Sequence, residues 1–371
     1  MAANERVVAV FGATGYTGRL IVHELYRVGI PMLLAGRDAG RLQALAAEVG
    51  GAEILVARVG DQASLDALGR RAQVLVNTVG PFVDLGEPVV RAAIAAGAHY
   101  VDTTGEQPFV QAMMVHDTWA KTQGVTVVPA LAFEITLGDC GAALAAAELD
   151  VVERVAVTYV TEFYASQGTK RTALRMLQRD GYAYVDGAWV VEPPARRSIF
   201  IDLPGPIGNV AAVSIPSAEV MTIPRHVATR EVRTYLSLPV LAARLLSATA
   251  PAVSALARSP LAAVVERLVG QATSGPDEAT RRMSTFHVVV DARGSRRGKS
   301  LVQRVLIRGR DPYGLSAAII RHGVMLLVAG AARGPGVLSP AMAFDPRRYL
   351  DELARDGVAY DLIPLVDAEH V

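Results

Sequence analysis

A β-branched and aromatic run, Val7 to Phe11, leads directly into Gly-Ala-Thr-Gly-Tyr-Thr-Gly at 12–18, where a helical pattern opens. Strand, glycine loop and helix in that order favour a parallel sheet whose first crossover helix aims its N-terminus at an anion. Gly12 permits the tight turn, Gly15 lets backbone N–H groups approach a pyrophosphate, and Gly18 lets the helix lie close on the strand. Thr14, Tyr16 and Thr17 complete the loop, whose spacing is GxxGxxG rather than GxGxxG.

The same rhythm continues to residue 129. Strand-like runs at 7–11, 32–35, 53–57, 74–79, 99–103 and 125–129 alternate with helical patterns at 15–28, 38–49, 62–71, 86–96 and 108–123. That alternation predicts an α/β fold: a Rossmann-like, doubly wound parallel sheet over residues 1–135. Beyond it the pattern changes to long alternating runs at 151–164 and 230–238, a hairpin at Asp186-Gly187, and a pair of strands, 286–294 and 300–309, around Gly-Ser-Arg-Arg-Gly-Lys. These predict a second α+β domain over 136–331, built on a largely antiparallel sheet and used for substrate binding and dimerisation. Apolar helical patterns at 241–257 and 261–269 belong to it. Asp311-Pro312 and Asp345-Pro346 each read as an N-cap followed by proline in the first turn. Residues 332–371 are expected to form a Gly- and Pro-rich connector and a helix ending at Gly357 that packs back on the first domain.

Composition narrows the partners. Apolar residues make up 51% of 371 and charged ones 20%, enough for a large core. A formal charge of +1 offers no field for a polyanion, so nucleic acid is excluded as an expected partner. Cys140, the one cysteine, cannot make an internal disulfide or a multi-cysteine zinc site; it reads as a buried core residue, no metal is expected, and a cytoplasmic location fits. No apolar stretch is long enough, without Arg244 or Pro251 breaking it, to span a bilayer.

The end of the second strand indicates the cofactor. A site for NAD usually carries Asp or Glu there, whereas this chain reads Leu-Leu-Ala-Gly-Arg with Gly36 and Arg37. Arg37 can clamp a 2′-phosphate and stack on adenine, which favours NADP(H); the plainer reading is a solvated arginine opening a helix. Asp61 either meets the adenine amino group or caps the next helix. Asn77, Val79, Gly80, Pro81 and Phe82, in Asn-Thr-Val-Gly-Pro-Phe, follow the fourth strand where the nicotinamide half is expected. Asp102, Thr104 and Glu106, in Tyr-Val-Asp-Thr-Thr-Gly-Glu, follow the fifth, where they line a substrate site or hold loops by bonding to backbone. With Asp117, Ser166 and Ser295 four residues before Lys121, Lys170 and Lys299, no Tyr-x-x-x-Lys pair exists. His226, between Arg225 and Val227, is a candidate proton donor or a structural histidine, and the turn with Arg293, Arg296, Arg297 and Lys299 is a hairpin tip or a dock for an acidic partner.

GATGYTG, LLAGR, NTVGPF and YVDTTGE, in that order and at these spacings, resemble the saccharopine dehydrogenase-like NADP-binding family, closest to its trans-acting enoyl reductase branch in lipid and polyketide pathways. GTKRTALRML at 168–177 and GVLSPAMAF at 336–344 extend the resemblance over nearly the whole chain. One stretch departs: relatives carry Gly-Phe-Asp-Ser-x-Pro-x-Asp after the sixth strand, and this chain has Ala132-Phe133-Glu134-Ile135-Thr136-Leu137-Gly138-Asp139. The resemblance implies an NADPH-dependent oxidoreductase that reduces a conjugated C=C of a hydrophobic or carrier-bound acyl substrate, as a homodimer. Tyr164 and His226 are the expected proton donors, with ordered water as the default, and Lys170 is expected beside the substrate. Two other readings stand beside it: reduction of an imine C=N, and a non-catalytic NADP(H)-binding sensor or scaffold.

Overall fold

The computed structural model describes residues 6–161, 166, 170, 179–204, 207–246, 249 and 275–366. Its contacts divide the chain into two compact units: 1–136 with 313–345, and 137–312 with 346–371.

In the first unit β1 (Val7–Phe11), β2 (Met32–Gly36), β3 (Glu53–Val56), β4 (Ala72–Asn77), β5 (His99–Asp102) and β6 (Thr126–Val128) make a parallel sheet. A two-residue strand, β15 (Gly336–Val337), extends it beside β6, in the order β15-β6-β5-β4-β1-β2-β3. Every residue of β2 is buried, as expected for a strand with both faces covered. The crossovers carry α1 (Tyr16–Arg27), α2 (Ala39–Glu48), α3 (Gln62–Arg71), α4 (Phe82–Leu85), α5 (Glu87–Ala95), α6 (Gln107–Met113) and α7 (Asp117–Thr122). Strand order reverses at β1, so the loops after β1 and β4 flank the topological switch point, where ligands of such sheets bind.

The second unit holds a mixed sheet. β7 (Val151–Thr161), β8 (Gly181–Val185), β9 (Ala188–Glu192), β10 (Ser198–Leu203), β11 (Gly208–Ser214), β12 (Glu231–Leu238), β13 (Thr285–Arg296), β14 (Lys299–Arg310) and β16 (Ala359–Val366) form it. The Asp186-Gly187 hairpin is as expected, with both residues at positive φ. The basic turn is tighter than expected: the strands run to Arg296 and Lys299, leaving Arg297 and Gly298, also at positive φ, as the turn. The sheet is antiparallel except where β12 runs parallel to β7. The helix α8 (Phe133–Ala146) carries Gly141, whose missing side chain lets it lie against Val290 and Ile307; a Cβ there would stand 2.8 Å from Val290 Cγ2. Cys140 is buried on the same helix.

Two expectations about the C-terminal part are corrected. The helix Pro312–Val328 starts at its predicted proline but belongs to the first unit from Tyr313 onward. Residues 332–345 also join the first unit, through β15. The helix Pro346–Leu353 and the strand after it belong to the second unit instead of returning to the first, because β16 pairs antiparallel with β14 from Leu301–Val366 to Arg308–Ala359. Pro364 hides that strand in the sequence. It is tolerated because β16 is the edge of its sheet, where a missing N–H breaks no ladder. Among the described residues no helix is long and apolar enough to cross a membrane.

Candidate cofactor and substrate site

The glycine loop is held by backbone from three sides. Gly12 turns at φ +84°, the N–H groups of Gly12 and Ala13 donate to Ala35 O at 2.9 and 3.2 Å, and Gly15 N–H returns to Gly12 O at 2.9 Å. A Cβ on Gly18 would stand 2.2 Å from Gly12 O, and one on Gly12 would stand 2.5 Å from Thr78 Oγ1. Both approaches are closer than any side chain tolerates, so these glycines are dictated by space. Gly15 caps α1 without a side-chain acceptor, and no acidic residue lies in its first turn, which leaves amide donors and dipole for an anion. The cradle therefore fits a pyrophosphate.

Thr78 was not among the predicted site residues, yet it closes the loop: its hydroxyl donates to Phe11 O at 3.0 Å and to Gly12 O at 3.2 Å. Its place inside NTVGPF was the available signal. Tyr16 meets Tyr313 edge to face at 5.1 Å, a partner separated too far in sequence to foresee. Arg37 is exposed just past β2, and Gly36 is buried. Asp61 takes its capping role, accepting from Ser64 N at 3.3 Å at the start of α3.

The loops after β4, β5 and β6 are tied together by acids. Glu106, 5% exposed, accepts from the N–H groups of Phe82 and Val83 at 3.1 and 2.9 Å, capping α4 just past the cis Gly80-Pro81 bond. Thr104 Oγ1 accepts from Glu106 N at 3.1 Å. Asp102 Oδ1 accepts from Thr104 N at 3.0 Å and Ala130 N at 2.8 Å, holding Ala130 at φ +61°. Asn77 Oδ1 accepts from Val79 N at 3.0 Å, while its amide donates to Tyr100 Oη at 3.0 Å. Asp102, Thr104 and Asn77 are at most 1% exposed. The geometry therefore gives these residues the loop-holding role; what they leave at the rim is exposed Gly80 with half-buried Val79 and Pro81, while Phe82 is buried against Phe109 at 5.7 Å.

Burial pushes the Asp102 carboxyl up to about 7, against the two N–H donors that favour its charge. Its Oδ2 has no partner of hydrogen-bonding geometry, with the Tyr100 hydroxyl as polar neighbour. Burial also raises Glu134, whose Oε2 lies 3.5 Å from where a Gly105 side chain would begin.

In the second unit His226 Nε2 lies 2.8 Å from Oδ1 of Asp139, which is fully buried on α8. The pairing fixes the imidazole and was invisible in sequence, because 87 residues separate the two. Lys170 is exposed, and Tyr164 lies outside the described residues, as do most of 168–177 and of the two apolar helical patterns.

Comparison with known proteins agrees with this geometry. Residues 8–128 match the family model for the saccharopine dehydrogenase NADP binding domain. A human saccharopine dehydrogenase-like oxidoreductase is 31% identical over 156 residues, covering 36% of this chain and 36% of that protein. A Mycobacterium tuberculosis protein provisionally named trans-acting enoyl reductase is 35% identical over 139 residues, covering 36% and 33%. A Caenorhabditis elegans lipid droplet localized protein is 35% identical over 147 residues, covering 36% and 34%. Each match spans only about a third of the relative's length. For the whole chain, the apo saccharopine dehydrogenase (L-Glu forming) of Saccharomyces cerevisiae shares the fold: TM-score 0.67 at 12% identity, over 96% of this chain and 99% of that one. Residues 8–128 thus match the model of a saccharopine dehydrogenase NADP binding domain, which indicates NADP(H) as the cofactor, and the whole chain shares the fold of the yeast saccharopine dehydrogenase.

Proposed function

We propose that the protein is an NADPH-dependent oxidoreductase that reduces the conjugated C=C of a hydrophobic acyl or polyketide-like substrate, free or carrier-bound. The observation that carries the cofactor half is the glycine cradle together with exposed Arg37 at the end of β2, where NAD sites place a carboxylate. The acyl half is supported by the relatives named for enoyl reduction and for lipid droplets.

When bound, NADPH supplies the hydride. In this reading Gly12, Thr14, Gly15, Tyr16, Thr17 and Gly18 hold the pyrophosphate, Arg37 engages the 2′-phosphate, and the loop from Asn77 to Phe82 supports the nicotinamide half. Asp102, Thr104 and Glu106 shape the substrate site through the loops they hold. A proton must reach the carbon next to the acyl carbonyl, and His226, backed by Asp139, or Tyr164 delivers it, with ordered water as the default. A homodimer belongs to the same reading: Trp189, Val190, Val191 and Phe200 are exposed apolar residues that a second copy would cover. So does a cytoplasmic setting, where Cys140 stays reduced.

Calorimetry tests the cofactor: Arg37→Glu is expected to weaken NADPH by about 1.5–3 kcal/mol, and equal binding of NADH and NADPH by the wild type refutes the assignment. A panel of enoyl thioesters and cyclic imines with NADPH tests the acceptor, since turnover of imines alone overturns C=C reduction. Binding of NADP(H) that alters association with a partner, with no acceptor reduced, points to a sensor. On the true substrate, His226→Ala or Tyr164→Phe is expected to lower turnover roughly 10²-fold with NADPH affinity intact. Full rate in both assigns the proton to water.

A further inference from the structure

Three arginines gather at the ends of β2 and β3. Arg37 follows the last residue of β2, and Arg58 stands two residues beyond β3. The register Gly36 opposite Val56, with Ala57 N–H donating to Gly36 O at 2.9 Å, brings both to the same end of neighbouring strands. Arg41 comes from the first turn of α2, and its Nη2 donates to Thr14 O at 3.0 Å, which fixes its guanidinium beside the glycine loop.

All three are exposed, and among the described residues none forms an ion pair. Arg19 and Arg71 of the same unit are paired, with Glu48 at 2.7 Å and with Glu53, whereas Arg6 donates to the carbonyls of Ala96 and Gly97. The two acids beside the cluster cap helices, Asp38 accepting from Arg41 N at 3.0 Å and Asp61 from Ser64 N. Three exposed arginines at one end of neighbouring strands, with no carboxylate paired to them among the described residues, give a local positive potential that suits a dianion. The planar fork of arginine suits phosphate oxygens.

We propose that Arg41 and Arg58 complete, with Arg37, a three-guanidinium clamp for the 2′-phosphate of NADP(H), and that Arg41 couples the clamp to the glycine loop through Thr14. The inference rests on the NADP(H) reading of the site. The residues differ in role: Arg58 contributes charge at the phosphate alone, whereas Arg41 also steadies the loop under the pyrophosphate.

Calorimetry on the full chain with adenosine 2′,5′-bisphosphate and with 5′-ADP as probes separates these roles without turnover. Arg58→Ala is expected to weaken the 2′,5′-bisphosphate roughly tenfold and 5′-ADP less than about twofold. Arg41→Ala is expected to weaken both probes, the bisphosphate more, and Arg41→Lys to recover only part of the loss. Thermal melts should match the wild type, since all three side chains are exposed. If the wild type prefers NADPH to NADH strongly and both alanine variants keep that preference, the clamp is wrong while the NADP(H) reading stands. Equal losses for both probes in Arg58→Ala also overturn it. Equal binding of NADH and NADPH by the wild type removes clamp and NADP(H) reading together.

Discussion

At the ends of β1, β2 and β3 the first unit presents open backbone and unpaired cations; at the ends of β4, β5 and β6 it presents buried acids, most of whose oxygens are occupied by amides. Gly15 and Arg37 are exposed, whereas Asp102, Thr104 and Glu106 are at most 5% exposed. Both regions carry polar motifs in the sequence. The contrast teaches that a polar residue at a strand end recognises a ligand only when the fold leaves its bonding capacity free. Among the described residues Arg37 is exposed and forms no ion pair. Glu106 gives both carboxylate oxygens to α4.

Three substitutions would sharpen or break that contrast. The largest effect is expected from Gly18→Ala, which sets a methyl group against the Gly12 carbonyl and forces α1 away from the loop. NADPH affinity should fall roughly 10³-fold, about 4 kcal/mol, in calorimetry. A variant that binds NADPH normally would show that the cradle is not where the pyrophosphate lies.

Next comes Glu106→Ala, which strips the acceptors from two amides and should cost about 2 kcal/mol of stability in a denaturant melt, with Glu106→Gln losing less. NADPH binding should change little beside that. A large loss of binding with unchanged stability would make Glu106 a ligand-facing group and erase the difference between the two regions.

The smallest effect, read near pH 5, is expected from Asp102→Asn. Because folding raises this carboxyl from near 4 to about 7, the folded chain holds a proton that the unfolded chain releases across that window. Its contribution is complete below about pH 4 and is lost as pH rises toward 7, at up to about 1.4 kcal/mol per pH unit. The asparagine amide keeps the acceptor for Thr104 and Ala130 and has nothing to ionise. Asp102→Asn should therefore gain on the wild type in thermal stability between pH 4 and pH 8. A gap between the two proteins that stays constant with pH would mean that the carboxylate is charged throughout, and that its free oxygen serves something other than the scaffold.

Much of the first unit was legible in the sequence because its strands are continuous apolar runs bounded by glycine, and its loops carry spacing that only certain backbones satisfy. Gly12 and Gly18 could be read as spatial necessities before any contact was known. The carboxylates could not be assigned in the same way. Asp102 and Glu106 are equally at home against a substrate or against an amide, and only the positions of Ala130 and Phe82 decide between them. Thr78 and Arg41 escaped notice because their partners, Gly12 O and Thr14 O, lie 66 and 27 residues away.

The sequence by itself determined the glycine cradle, the arginine in place of a carboxylate at the end of β2 and the change from parallel to largely antiparallel architecture, since each follows from residue identity at a set position, local backbone freedom or side-chain periodicity. Tertiary structure alone decided which polar groups are left over. It paired His226 with Asp139, sent β16 to the edge beside β14, joined β15 to β6, and left Arg37, Arg41 and Arg58 without counter-charges among the described residues. The physical reason is that a hydrogen bond or an ion pair depends on distance in space, which local sequence cannot express.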